Sequence, residues 1–184
     1  MEAGLPSLKA LAETFPDAAR DIRLNLATVL QESSLTEKQR WGLALASALA
    51  TRSGALRDAI LQDGAFALDE AVIDDARAAS SLMAMNNVFY RARHMIGKPA
   101  YQALPARLRM NRIAKPRGDR SDFELMCLAV SAIHGCETCV QSHEKAILEA
   151  GLTEAHVNDA VRIAATIHAA AVTLDSVATN AGEF

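Results

Sequence analysis

Glu124-Leu125-Met126-Cys127-Leu128-Ala129-Val130-Ser131-Ala132-Ile133-His134-Gly135-Cys136-Glu137-Thr138-Cys139-Val140-Gln141-Ser142-His143 places a carboxylate, a Cys-x-x-Cys pair and an imidazole within twenty residues. As one continuous helix this stretch would hold Glu124 about 28 Å from His143, at about 1.5 Å per residue. If the four groups act together, the chain must reverse near His134-Gly135. The resulting helical hairpin brings the Glu124 turn back to the His143 turn, within reach directly or through one water. With a second helix starting at about Gly135, Cys136, Cys139 and His143 fall at i, i+3 and i+7 and share one face. The cysteine nearest that helix start meets unpaired amides and the positive end of the dipole, which favour thiolate. His143, one turn past Cys139, is placed to take its proton and then to stabilise the thiolate as imidazolium, with Glu124 orienting the ring. Redox chemistry is the leading expectation, with Cys136, Cys139, His143 and Glu124 as catalytic candidates.

Each residue also has a plainer reading. The Cys-x-x-Cys is half of a zinc site if His143 or His134 and Glu124 complete the ligands, although no second Cys-x-x-Cys and no His-x-x-x-His exists. His143 alone reads as a surface helix residue, and Glu124 alone as a first-turn carboxylate after Ser121 and Asp122. The combination is more specific than its parts. Cys127, in an apolar run, is expected to be an inert buried thiol. Met83, Met85, Met95 and Met110 are expected to fill gaps in the core, and His94, His134, His156 and His168 receive no role.

Around this motif the composition sets the class. The chain has 184 residues, 51% of them apolar, 4% aromatic, with a formal charge of -3. Such a chain buries a real core without disulfide staples. Apolar content carried by Ala, Leu and Ile with few aromatics favours packed helices over sheets, so the expected fold is all-α. The longest uncharged runs, 78–90 and 163–174, are shorter than the roughly 18 apolar residues of a membrane span. No membrane association is expected. Glu2, Glu13 and Asp17 interrupt the first twenty residues, leaving no unbroken apolar core for a secretory signal, so a reducing cytoplasm is the expected compartment. There a Cys-x-x-Cys is catalytic or metal-binding before it is structural.

A weak internal repeat organises the rest. Leu45-Ala46-Ser47-Ala48-Leu49 resembles Ala129-Val130-Ser131-Ala132-Ile133, 84 residues later, and Glu70-Ala71 and Asp75-Ala76 match Glu154-Ala155 and Asp159-Ala160 at the same offset. The expected division is an N-terminal segment 1–19, a first helical unit 20–96 serving as scaffold, a linker 97–117, and a second helical unit 118–184 carrying the chemistry. At the places matching the two cysteines the first copy has Arg52 and Ala55. Thr36 and Gln39 form a capping box that starts a helix over 37–51, while Asp63-Gly64 and Gly151-Leu152-Thr153 read as stops. The linker's Arg107, Arg109, Arg112, Lys115, Arg117 and Arg120 are expected to pair with carboxylates of the two units. An acidic chain without aromatics interleaved among those arginines does not read as a nucleic-acid binder.

The pattern Glu124, eleven residues, Cys136-x-x-Cys139, three residues, His143 resembles the alkyl hydroperoxide reductase D (AhpD) family within the carboxymuconolactone decarboxylase-like superfamily. Further segments look similar: 21–26, 35–53 around Trp41-Gly42, 83–91 and 108–111. The resemblance covers nearly the whole chain. It implies an all-helical fold of two related halves, assembled as a homotrimer, acting as an antioxidant thiol-dependent alkyl hydroperoxidase that also regenerates a partner peroxiredoxin (AhpC). It further implies reduction by dihydrolipoyl groups of a lipoylated dihydrolipoyl acyltransferase, served by dihydrolipoamide dehydrogenase, with no bound cofactor and no metal. Carried over by position, Cys139 is the attacking thiol, Cys136 the proton donor and resolving partner, and Glu124 and His143 the proton relay. One departure is Thr138, where some members have a histidine.

A protein disulfide reductase with incidental peroxide turnover is the competing expectation. Decarboxylation, performed by relatives in the superfamily, leaves both cysteines unexplained. A thioredoxin fold lacks its strand–helix–strand pattern here.

Overall fold

The computed structural model describes residues 4–178, and no strand occurs among them. The fold is all-α. Helix α1 (Pro6–Ala12) leads into α2 (Arg20–Val29), followed by α3 (Glu37–Ala50), α4 (Gly54–Asp63) and the long α5 (Glu70–Ile96). A connector holding the short α6 (Pro99–Ala103) and a 3-10 turn at Asn111–Ala114 leads to α7 (Arg120–Ile133), α8 (Glu137–Glu149) and the long α9 (Glu154–Ala178). Residues 1–3 and 179–184 of the expected terminal segments lie outside the described residues.

N-cap side chains fix the starts of α3, α4, α5 and α7. Thr36 and Gln39 form the reciprocal box, with Gln39 N donating to Thr36 Oγ1 at 3.3 Å and Thr36 N to Gln39 Oε1 at 2.9 Å. Ser53, Asp69 and Asp119 cap α4, α5 and α7. Asp63 caps a helix that it does not belong to: its two oxygens accept from Ser7 N and Leu8 N at 3.0 and 2.8 Å, tying α1 to the end of α4. The stop after Asp63 has a packing cause. Gly64 has φ -91°, open to any residue, but a Cβ there would lie 2.5 Å from the Trp41 ring and 2.8 Å from the Ile60 carbonyl.

α3 and α7 form the centre. α3 buries Trp41, Leu43, Ala44, Leu45, Ala46 and Ala48, and α7 buries every residue from Phe123 to Ser131. A helix apolar all round belongs in the interior, and small residues let its neighbours approach closely. At Gly42 a Cβ would fall 2.5 Å from Met126 Cε of α7 and 3.1 Å from Val72 Cγ1 of α5. α9 closes the bundle with Ala160, Ile163, Ala164, Ile167 and Ala170 facing inward. By length and composition Glu154–Val177 is apolar enough to cross a membrane, with mean hydropathy 1.3. Counting uncharged runs alone overlooked it, because Asp159 and Arg162 divide the apolar stretch. A core helix meets the same test, and this one buries a single face against the bundle while Val161 and Val172 on the other are exposed.

The connector is tied down by carboxylates of α5, Asp75 foremost. Asp75, buried on α5, accepts from Arg112 Nη2 at 2.7 Å, from Arg117 N at 2.9 Å and from Gly118 N at 2.7 Å. Arg112 also reaches Asp74, and Arg117 reaches Glu70 at 3.1 Å. These pairs hold the connector against α5, next to the start of α7.

Candidate active site

The chain reverses at His134-Gly135. Gly135 has φ +65°, a left-handed conformation that glycine adopts without steric cost. Its amide donates to the Ala132 carbonyl and that of Cys136 to the Ser131 carbonyl, both at 3.1 Å, the paired bonds that close a helix C-terminus. This closure delays the next helix: α8 starts at Glu137 rather than near Gly135, and Cys136 is its N-cap residue. It also shifts the correspondence with the first half. Cys136 matches Ser53, the N-cap of α4, and Cys139 matches Leu56, in place of Arg52 and Ala55; Arg52, with φ +60°, occupies the place of Gly135.

The reversal is clamped from α5. Asn87, fully buried, accepts from Ser131 Oγ at 3.1 Å and places its amide 3.1 Å from His134 Nδ1. Arg91 donates to the His134 carbonyl. Burial and the nearby Arg91 charge lower the His134 pKa, in keeping with a neutral ring that accepts from Asn87. His134, given no role in the sequence reading, therefore braces the turn.

Within the turn Cys136 and Cys139 are joined as a disulfide. Their environments differ. Cys136 is fully buried, whereas Cys139 lines an open cleft of about 430 Å³. Glu124, Asn86, Tyr90, Arg120, Ser142 and His143 share its walls, with Met83, Met110, Ile113 and Ala146 supplying apolar surface. Thr138, on the same rim, sets its hydroxyl 3.7 Å from the Cys136 sulfur.

Glu124 and His143 meet directly, without an intervening water. Glu124 Oε2 lies 2.7 Å from His143 Nδ1, with both side chains nearly buried. An ionised carboxylate only accepts, so Nδ1 carries the proton. That leaves Nε2 as the ring atom free to handle a proton, and it faces Met83 Sδ at 3.3 Å. Neither ring nitrogen bonds a cysteine sulfur among the described residues. Met83 is part of the buried core, as expected, and is also a wall of the site. Of its companions Met110 also lines the cleft, while Met95 is 77% exposed and fills nothing. The signal for Met83 lay in the 83–91 segment, which resembles the family yet carried no assigned role.

The remaining candidates fall elsewhere. Cys127 is buried one turn past Glu124, and burial, reinforced by the Glu124 and Asp75 carboxylates, pushes its thiol well above the usual range. Such a thiol is inert. His94 sits 3.4 Å from Glu137 on the surface, and His156 Nδ1 takes the Thr153 amide at 3.1 Å before α9. His168 borders a separate groove with Arg52 and Asp175. Among the described residues no three His, Cys, Asp or Glu side chains converge as a metal set. A smaller apolar hollow of about 260 Å³ beside α1 and α2 holds no thiol or imidazole.

Known proteins are similar to this chain along most of its length. The profile of the carboxymuconolactone decarboxylase family matches residues 99–179. A protein of Anaeromyxobacter dehalogenans (strain 2CP-C) named alkyl hydroperoxide reductase AhpD is 56% identical over 171 residues, 93% of this chain and 92% of that one. This chain belongs to the AhpD family. Other AhpD proteins agree along almost the full length: that of Solibacter usitatus is 49% identical over 91% of this chain and 95% of its own, and that of Rhodospirillum centenum 45% identical over 96% and 95%. The reversal, the clamp from α5 and the cleft are therefore read as features of an AhpD protein.

Proposed function

We propose that this AhpD protein is a thiol-dependent alkyl hydroperoxidase. The observation that carries the reading is the asymmetry of the two sulfurs: Cys139 opens to a cleft that holds a directly bonded Glu124–His143 pair, and Cys136 is buried behind it. The names of the relatives support the substrate class.

The cycle balances on these atoms. In the dithiol form Cys139 loses its proton towards the imidazole, whose Nδ1–H remains on Glu124. The thiolate attacks the terminal oxygen of the hydroperoxide; the S–O bond forms, the O–O bond breaks, and the alkoxide leaves and takes a proton to become the alcohol. Cys136 then attacks the Cys139 sulfenic acid, forming the S–S bond and releasing water. An external dithiol resets the pair by two exchanges.

The same reading extends outward. Dihydrolipoyl groups of a lipoylated acyltransferase, kept reduced by dihydrolipoamide dehydrogenase, are the proposed reductant, and an AhpC peroxiredoxin the proposed protein partner. The proposed compartment is the cytoplasm and the proposed assembly a homotrimer. Val88, Met95, Ile96, Tyr101 and Leu104, all exposed along the end of α5 and in and beyond α6, supply apolar surface for other copies.

The deciding experiment follows hydroperoxide consumption with dihydrolipoamide as reductant in the wild type, Cys139→Ser and Cys136→Ser. Sustained turnover by the wild type and its loss in both variants are expected. A wild type that ignores free hydroperoxide but reduces an oxidised peroxiredoxin would replace the reading with a protein disulfide reductase. Full turnover in either variant would remove the dithiol cycle.

A further inference from the structure

Asn86 lies on α5 one turn past Met83 and one turn before Tyr90, and all three line the cleft that holds Cys139. Its side chain is 3% exposed. Its Oδ1 is buried without a hydrogen-bond partner, and among the described residues nothing bonds its amide nitrogen either. The next residue shows the contrast, because Asn87 has both ends of its carboxamide engaged. Burying a carboxamide oxygen unsatisfied costs stability, and natural interiors rarely retain one without a use.

We infer that Asn86 binds the hydroperoxide group of the substrate. This assignment rests on the proposed peroxidase activity. One end of the carboxamide is sealed in the protein and the other lines the cleft, where an amide N–H donates to the lone pairs of a hydroperoxide oxygen. The match favours the attacked state. As the O–O bond breaks, charge collects on the departing alkoxide oxygen, and an amide N–H already in the cleft stabilises it without reorganisation. Thiols are weak donors and acceptors, so a reducing dithiol gains little from the same group. Asn86 is accordingly specific to the oxidative half of the cycle.

The test separates the half-reactions in Asn86→Leu, which keeps the volume and removes both polar ends, and in Asn86→Gln as a conservative companion. The oxidative half is the rate of thiol loss when reduced protein meets cumene hydroperoxide under quench. The reductive half is the rate of thiol recovery when oxidised protein meets dihydrolipoamide. The expected result is an oxidative rate constant about 10- to 100-fold lower in Asn86→Leu. Asn86→Gln should recover part of that loss, the reductive rate should hold within about twofold, and thermal stability should equal or exceed that of the wild type. An unchanged oxidative rate, or both half-reactions slowed equally, would overturn the assignment. A wild type whose thiols survive hydroperoxide would overturn the peroxidase reading, and this inference with it, a result separable from failure of the Asn86 variants alone.

Discussion

Replacing Glu124 by Gln tests the proposed relay most directly, because it removes a charge while leaving an oxygen in place to accept from His143 Nδ1. The 2.7 Å bond is charge-assisted and nearly buried at both ends, 7% for the carboxylate and 11% for the imidazole. Hydrogen bonds to charged groups contribute about 1.5–3 kcal/mol. If most of that is expressed as the imidazole takes the Cys139 proton, the oxidative rate falls by about 10- to 100-fold, at about 1.4 kcal/mol per decade. Stability should change by less than about 1 kcal/mol, since the neutral bond remains. Glu124→Ala separates catalysis from folding: it strands a buried Nδ1–H and should cost about 1–3 kcal/mol of stability in addition to the rate. Rapid quench with thiol counting gives the rate and urea unfolding gives the stability. A Glu124→Gln variant within twofold of wild type would refute the relay. So would a rate loss that appears only in Glu124→Ala and scales with its instability.

Asp159 gives a pH prediction. Burial opposes its ionisation, yet hydrogen bonds from the Ser34 amide and from the side chains of Arg162, Ser34 and Ser33 lower its pKa from 3.8 to about 2. A folded-state value below the unfolded one stabilises fully above about pH 4, and the benefit fades as pH falls through about 2, so Asp159→Asn should lose roughly 2 kcal/mol at pH 7. Urea titrations at pH 7 and pH 3 should show the difference from wild type narrowing; a constant difference contradicts the linkage. Gly64→Ala drives a methyl into the Trp41 ring and the Ile60 carbonyl, and a loss of about 2 kcal/mol or more is expected in thermal melts. Cys127→Ala empties a small buried volume, with a cost of about 1–2 kcal/mol and peroxide turnover unchanged. A turnover defect there would give the buried thiol a role.

The site's near half was legible because its residues are local. Spacing alone placed Cys139 and His143 one turn apart on one helix, and the reach from Glu124 required a reversal at a glycine. Helix starts that depend on side-chain caps, as at Thr36, were equally readable. The helix after the reversal was misplaced by two residues because its start depends on backbone bonds from Gly135 and Cys136 back into α7, which no side chain announces. The far wall, though its 83–91 segment resembles the family, received no role for a different reason. Met83, Asn86 and Asn87 stand on a helix about 50 positions before the cysteines and face a neighbour that only tertiary packing defines. In a chain this rich in alanine, periodicity indicates a buried face without naming what it meets.

The unequal burial of the two sulfurs decides which covalent complexes can be isolated. On the proposed cycle an adduct with a partner forms on Cys139, the sulfur at the cleft, and is resolved from within by the fully buried Cys136. On that cycle, substituting Cys136 should turn the protein into bait that retains its redox clients, and substituting Cys139 should leave no adduct to isolate.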